Sequence, residues 1–200
     1  QELEKKGHGF KGHSDTEAML AAFVQWGVEE SIKKFNGMFA FAVWDRRDRL
    51  LWLARDRIGE KPLYHGVQNG TLFFASELKA IRAYPKFKPE IDHNALASFL
   101  RFSYVPAPWS IYRGILKLLP GHFIQIKSPD ENHESEPYWS LESVVKKGQQ
   151  NPFSGSNEEA VNELEKCLKK TVSSRMVSDV PLGAFLSGGI DSSTVVALMQ

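Results

Sequence analysis

Ala184-Phe185-Leu186-Ser187-Gly188-Gly189-Ile190-Asp191-Ser192-Ser193-Thr194 runs from apolar residues through Ser-Gly-Gly-x-Asp-Ser into a helix-forming stretch, Val195 to Met199. That order predicts a strand, a tight loop and a helix start. Such a loop gathers backbone N–H groups at the positive end of a helix, where phosphate can sit. Gly188 and Gly189 allow the close approach and positive φ angles that this requires. Ser187, Ser192 and Ser193 add hydroxyl donors, and Leu186 leads the chain in. Asp191 repels phosphate on its own, so its expected use is to hold a divalent cation that bridges phosphates. The plainer reading is a strand–helix turn capped by Ser192 or Asp191, but a cap does not require paired glycines and flanking serines together. The Gly-x4-Gly-Lys-[Ser/Thr] loop occurs nowhere in the chain.

Composition places the remaining residues in the ordinary globular class. The chain has 200 residues, 42% hydrophobic and 24% charged, with a net charge of +1. This is enough for one large domain or two smaller ones. Near-neutral charge argues for neither nucleic acid nor a membrane surface as partner. No apolar run approaches the roughly 20 residues of a membrane span, and no signal peptide is visible. Cys167 is the single cysteine, so no disulfide framework exists and a reducing, cytoplasmic setting is expected. Gln1 stands where a Met would begin a chain, and Gln200 falls about two turns into the last helix. A doubly wound sheet needs more than one strand and half a helix, so the expectation is a piece of a longer protein.

Further motifs organise the middle. Ser14 and Glu17 have capping-box spacing ahead of an apolar helical stripe, Met19, Leu20, Phe23 and Val24, with Gly27 to end it. A short helix is predicted over 28–35. Met38 to Trp44 is apolar throughout, which predicts a strand covered on both faces. It pairs with Leu50 to Arg55 across the charged turn Arg46, Arg47 and Arg49. A second hairpin is predicted from Pro62-Leu63-Tyr64-His65-Gly66-Val67 and Thr71 to Ala75 around Asn69-Gly70. Helices follow near 76–84 and 92–102, then an ordered loop over 104–119 and a strand over 122–127. Polar residues, Pro and Gly make 128–156 a linker between residues 1–127 and 157–200. A second capping box, Ser156 and Glu159, opens a long helix on which Cys167 reads as a half-buried structural thiol. The six histidines have no metal-ligand spacing and read as surface or cap residues. Arg55, Asp56 and Arg57 could form an ordering ion-pair network.

These strings together resemble the glutamine-dependent asparagine synthetase family. The match runs through Gly12-His13-Ser14-Asp15-Thr16-Glu17, Phe35-Asn36-Gly37-Met38-Phe39-Ala40-Phe41-Ala42 and Arg55-Asp56-Arg57-Ile58-Gly59-Glu60-Lys61-Pro62-Leu63-Tyr64. It continues through Phe74-Ala75-Ser76-Glu77-Leu78-Lys79-Ala80, Leu119-Pro120-Gly121-His122 and Ser178-Asp179-Val180-Pro181-Leu182-Gly183, in family order over nearly the whole chain. The resemblance implies a class II glutaminase domain of the N-terminal-nucleophile type, an αββα sandwich, over 1–127. After the 128–156 linker, 157–200 would begin an α/β adenylating domain of the PP-loop pyrophosphatase type.

The implied reaction is the ATP-dependent amidation of aspartate through β-aspartyl-AMP, with ammonia taken from glutamine and passed through a tunnel. ATP and Mg2+ are the implied cofactors. Glutamine, aspartate and ATP are the implied partners, without nucleic acid or membrane, and the family allows a homodimer. Asp15 matches the carboxylate that holds the α-ammonium of glutamine in a site closed to water; alternatively it only favours its helix N-terminus. Leu186, Ser187, Gly188, Gly189, Asp191, Ser192 and Ser193 match the ATP loop, Asp191 also as Mg2+ ligand. Met38 matches a tunnel-lining position, or is a core methionine. The family's nucleophile is an N-terminal Cys, which Gln1 does not supply and Cys167 does not replace. So the 200 residues alone are expected neither to hydrolyse glutamine nor to make asparagine. Two alternatives stay open: an amidotransferase acting on a sugar or surface-polymer carboxylate, and a non-catalytic nucleotide-binding module.

Overall fold

The structure is a computed structural model that describes residues 2–12, 14–131 and 133–200. His13 and Asn132 therefore lie outside the described residues, and so does the reading of His13 as a surface histidine. The chain forms two compact units, residues 1–144 and 145–200.

The first unit is built on two antiparallel sheets. β1 (Ala40–Asp45) and β2 (Leu50–Arg55) form the predicted hairpin, with Ala40 opposite Arg55 and Asp45 opposite Leu50. Its turn is held by the Asp45 carboxylate, which accepts from the Arg47 and Asp48 amides at 2.8 and 3.1 Å. β3 (Tyr64–Gln68) and β4 (Thr71–Ala75) form the second hairpin. Asn69 and Gly70 take φ of 52° and 69° there, the two-residue turn whose twist suits adjoining strands. β5 (Ile115–Lys117) pairs with β3, β6 (His122–Ile126) with β2, and β7 (Glu136–Pro137) with β6. The sheet orders are β1-β2-β6-β7 and β4-β3-β5.

Period-two alternation sends each strand into two cores. Leu51, Leu53, Ile124 and Ile126 face the second sheet and meet Leu63, Leu118 and Leu72. Trp52, Ala54 and Phe123 face outward onto Ile32 and Val28 of α2 (Val28–Lys34). α1 (Asp15–Trp26) joins that layer through Phe23, whose ring centroid lies 5.4 Å from that of Phe41. On the far side, Phe73 and Ile115 pack with Phe87 and with Ile81 of α3 (Leu78–Arg82). The layer order is helix, sheet, sheet, helix.

Several local expectations need correction. β1 is not covered on both faces: Ala42 is exposed and Trp44 half-exposed. The second sheet stacks on β2 and β6, which leaves the end of the edge strand open. α4 (His93–Phe102) forms as predicted, capped by the Asp92 carboxylate. The stretch 104–119, however, contains β5, and 128–156 contains β7 and α5 (Leu141–Gln150). Strands of two or three residues are too short to leave a periodic signal. Among the histidines, His65 is buried rather than superficial. His8 pairs with Gln25 at 3.0 Å and His133 with the Ser128 carbonyl at 2.7 Å.

In the second unit α6 (Asn157–Arg175) begins with the full capping box, Ser156 and Glu159 exchanging their bonds. It packs against α7 (Ile190–Met199). Residues 181–187 are not a strand, and Phe185 is fully exposed. A strand needs a neighbour for its amides and carbonyls, and none of the described residues pairs with this stretch. Cys167 is exposed, not half-buried. Among the described residues no helix is long and apolar enough to cross a membrane.

Burial holds the His65 imidazole down at about 4 from an ordinary 6.5, and nearby His133 acts in the same direction. Folding therefore excludes a proton that the unfolded chain accepts. Stability should be complete above pH 6.5 and fall as pH drops from 6.5 toward 4, by on the order of 3 kcal/mol in total. Urea unfolding across that window measures it, and His65→Gln should flatten this part of the profile.

Candidate functional site

The centre of the first unit is a buried carboxylate. Asp56 follows directly on β2 and is 1% exposed. Its two oxygens accept from four backbone amides: Phe39 at 3.3 Å, Ile58 at 3.2 Å, and Glu60 and Lys61 each at 2.9 Å. Its own amide donates to the Phe39 carbonyl at 2.8 Å, and its carbonyl accepts from Gly59 and Gly121 at 3.1 and 2.8 Å. Arg55 turns to backbone as well, donating to the carbonyls of Lys61, Gly59 and Leu118, each at 2.7 Å. Arg57 donates to the Lys33 carbonyl at 2.9 Å. The three residues thus order loops by binding peptide groups, not by the ion pairing that their sequence suggested. Gly59 packs so tightly here that a Cβ would lie 2.8 Å from Pro120 and 3.0 Å from the Arg55 guanidinium.

This loop and the Phe35–Phe39 entry to β1 border two adjoining clefts. One, of about 440 Å³, runs between α1 and the segment from Lys34 to Phe39. The other, of about 540 Å³, runs on past Lys61, Pro62 and Ser76. Asp15, Met19, Met38 and Phe39 line both. The structure therefore brings together Asp15 and Met38, two of the residues singled out from the sequence. Met38 is 48% exposed and is a cleft wall, not a core methionine. Asp15 is the first residue of α1, capped by Ser14, which accepts from the Thr16 amide at 3.2 Å.

The Ser14 and Glu17 motif does not close on itself as a capping box. Glu17 reaches further back, accepting from the Lys11 and Gly12 amides at 3.0 Å each. Those amides, Lys11 first, hold its carboxyl below the usual carboxylate range. With Glu17 engaged in this way, Asp15 is the first-turn carboxylate left to face the cleft. Its one hydrogen bond among the described residues is a long one, 3.4 Å from the Thr16 hydroxyl. A carboxylate at a helix N-terminus can bind an ammonium group by a charge-assisted hydrogen bond. The cleft is open to solvent and Asp15 is exposed, so the expected closure against water is not present here.

The second unit carries the other group by itself. Gly188 takes φ of +78° and Gly189 is the N-cap of α7, with no side chain capping the helix. The side-chain cap by Ser192 or Asp191, the plainer alternative to a phosphate loop, is not made. The Ser192 and Ser193 hydroxyls instead donate back to the Gly189 carbonyl at 3.0 and 2.9 Å, and the Ser187 hydroxyl lies 3.0 Å from that of Ser192. The first-turn amides of Ile190, Asp191 and Ser192 have no intrahelical partner, and Asp191 stands exposed among them. This leaves donors and one carboxylate at an open helix N-terminus. Among the described residues no group of three or more His, Cys, Asp or Glu could hold a metal ion.

Residues 1–139 match the family model of the glutamine amidotransferase domain. The chain belongs to that family. Residues 163–200 match the model of asparagine synthase. Asparagine synthetase [glutamine-hydrolyzing] 3 of Bacillus subtilis (strain 168) is 35% identical over 99% of this chain, and its namesake 1 of the same strain is 37% identical over 100%. Amidase chyE of Penicillium rubens is 37% identical over 95% of the chain. The chain spans 31%, 30% and 27% of those relatives' lengths.

Within the amidotransferase domain, Asp56 and Lys61 were not singled out from sequence as site-forming residues. Asp-Arg-Ile-Gly directly after a strand is a composition that favours a side chain folding back onto its own backbone, and that is the signal they left. Asp56→Asn should lower stability by about 2–3 kcal/mol, because the amide nitrogen turns a donor toward backbone donors. Urea midpoints of this variant against the parent protein measure it.

Proposed function

We propose that this chain is part of a glutamine-hydrolysing asparagine synthetase. Residues 1–127 would be a portion of a glutaminase domain of the N-terminal-nucleophile type, 128–156 a linker that carries β7 and α5, and 157–200 the beginning of a PP-loop adenylating domain. The observation that carries the reading is the Asp15 carboxylate, at the start of α1 on a cleft shared with Met38, in a chain of the glutamine amidotransferase domain family. Asp15 holds the α-ammonium of glutamine. Met38 lines the route by which ammonia leaves. The match of 163–200 to asparagine synthase supports the second half of the reaction.

In that half, Leu186 contacts the adenine side of ATP, while Ser187, Gly188, Gly189, Ser192 and Ser193 meet its phosphates. Mg2+ is commonly held by one or two carboxylates together with substrate phosphates, so the lone exposed Asp191 beside free amides fits as its protein ligand. The ion supplies charge neutralisation of the polyphosphate. The residues around it orient ATP for attack by the aspartate carboxylate, which gives β-aspartyl-AMP and pyrophosphate. Ammonia then displaces AMP to give asparagine. The partners are glutamine, aspartate and ATP, with a second copy of the chain in a homodimer and a cytoplasmic setting.

In the complete enzyme, Asp15→Ala should raise the KM for glutamine about ten- to a hundredfold, the loss of one charge-assisted hydrogen bond. Synthesis from free ammonia should be unchanged; equal loss with both nitrogen sources would refute the assignment. Asp191→Ala should abolish ATP–pyrophosphate exchange and leave glutaminase activity intact, measured by parallel assays on one preparation.

A further inference from the structure

Arg57 and His122, from the motifs Arg55-Asp56-Arg57 and Leu119-Pro120-Gly121-His122, line neither of the clefts at Asp15. The fold brings their ends together. Arg57 and His122 line a third cleft in the first unit, of about 330 Å³, with Trp139 and Ser140. That volume lies at the lower end of small-molecule pockets.

The cleft is assembled by a tight backbone approach. Gly121 takes φ of +68°, and a Cβ there would lie 2.5 Å from the Trp139 carbonyl oxygen. Its own carbonyl accepts from the Tyr138 and Trp139 amides at 2.9 and 3.2 Å. Only glycine permits this packing, and it sets Trp139 beside Arg57.

Two donors stand on the cleft wall, Arg57 and Ser140, while Glu142 lies in the first turn of α5 outside it. Arg57 is anchored by its bond to the Lys33 carbonyl, yet its Nε is buried and has no hydrogen-bond partner among the described residues. A buried donor on a charged group is costly to leave unmade, and such an orphan points to a missing acceptor. His122 donates Nδ1–H to the Pro120 carbonyl at 2.8 Å, which makes Nε2 of a neutral ring an acceptor and leaves the anion to Arg57 and Ser140. The Ser140 hydroxyl accepts from the Ser143 amide at 3.3 Å and keeps its own proton to donate. Ser140 and Leu141 also begin α5, whose first-turn amides are the positive end of that helix. Among the described residues no carboxylate lines the cleft; the remainder of its wall is apolar, from Trp139, Leu141 and Pro120.

We propose that this cleft binds a small oxyanion, a phosphate or a short-chain carboxylate, on the Arg57 guanidinium and the Ser140 hydroxyl, with its apolar remainder against Trp139. The site uses none of Asp15, Met38 or residues 186–193, so its failure leaves the amidotransfer reading standing.

The test is a titration of the 200-residue protein at constant ionic strength with inorganic phosphate and, separately, with butyrate, chloride serving as control. Proton–nitrogen spectra follow the Arg57 Nε–H and the Trp139 indole N–H. Both resonances should move to saturation with one dissociation constant, and Arg57→Lys should weaken binding about tenfold by losing the guanidinium fork. Saturation by phosphate alone assigns a phosphate ligand, and saturation by butyrate alone a carboxylate. The proposal is overturned if neither anion saturates, or if Arg57→Lys binds as tightly as the parent. Should that variant fail to fold, Ser140→Ala replaces it, with about threefold weaker binding expected and unchanged affinity counting against the site.

Discussion

Asp56 is the constraint on which the first unit depends. A carboxylate taken out of water must recover its hydrogen bonds from the protein, and this one recovers them from backbone. Four amides converge on it, and they belong to the entry of β1 and to the loop after β2. Its carbonyl adds the amide of Gly121 at the start of β6. One residue, through its side chain and its own peptide group, therefore ties three neighbouring strands at the same end. The Arg55 guanidinium does the complementary work, collecting carbonyls where Asp56 collects amides. Between them they fix irregular chain that no ladder of strand hydrogen bonds would hold.

The clefts follow from that arrangement. Phe39 and Lys61, both held by Asp56, stand on cleft walls. α1 supplies the opposite wall, and it is held by aromatic packing: Phe23 contacts Phe35 and Phe41, and Phe39 contacts both of the latter. The carboxylate of Asp15 thus sits where a rigid apolar cluster meets a rigid polar loop. Such support on both sides is what a binding group needs to keep its geometry.

In the second unit, the hydroxyls of Ser192 and Ser193 turn back onto the Gly189 carbonyl, and glycine itself occupies the cap. Ordinary helices satisfy their first amides with a side chain. Here no side chain of the described residues caps the helix. The same physics appears at Arg57, whose buried Nε lacks an acceptor.

Local signals were legible where one short stretch decides the outcome. Ser156 and Glu159 close the capping box that their spacing announced, Asn69-Gly70 makes the hairpin turn that only positive φ allows, and Asp92 caps α4. The alternation that sorts Leu53 from Ala54, and Ile124 from Phe123, is likewise written in the chain, because a strand's side chains can face only two ways. The open side of Trp44, the burial of His65, the two-residue β7 and the strandless approach to Ser187 were not, because each depends on what lies across space and not along the chain. So too with Asp56 and Arg55: their sequence shows opposite charges side by side, but only the folded backbone decides that each gives its hydrogen bonds to peptide groups. Asp15 and Met38 could be named from motifs, yet their meeting on one cleft needed α1 to pack against β1, a contact set by aromatic rings distant in sequence.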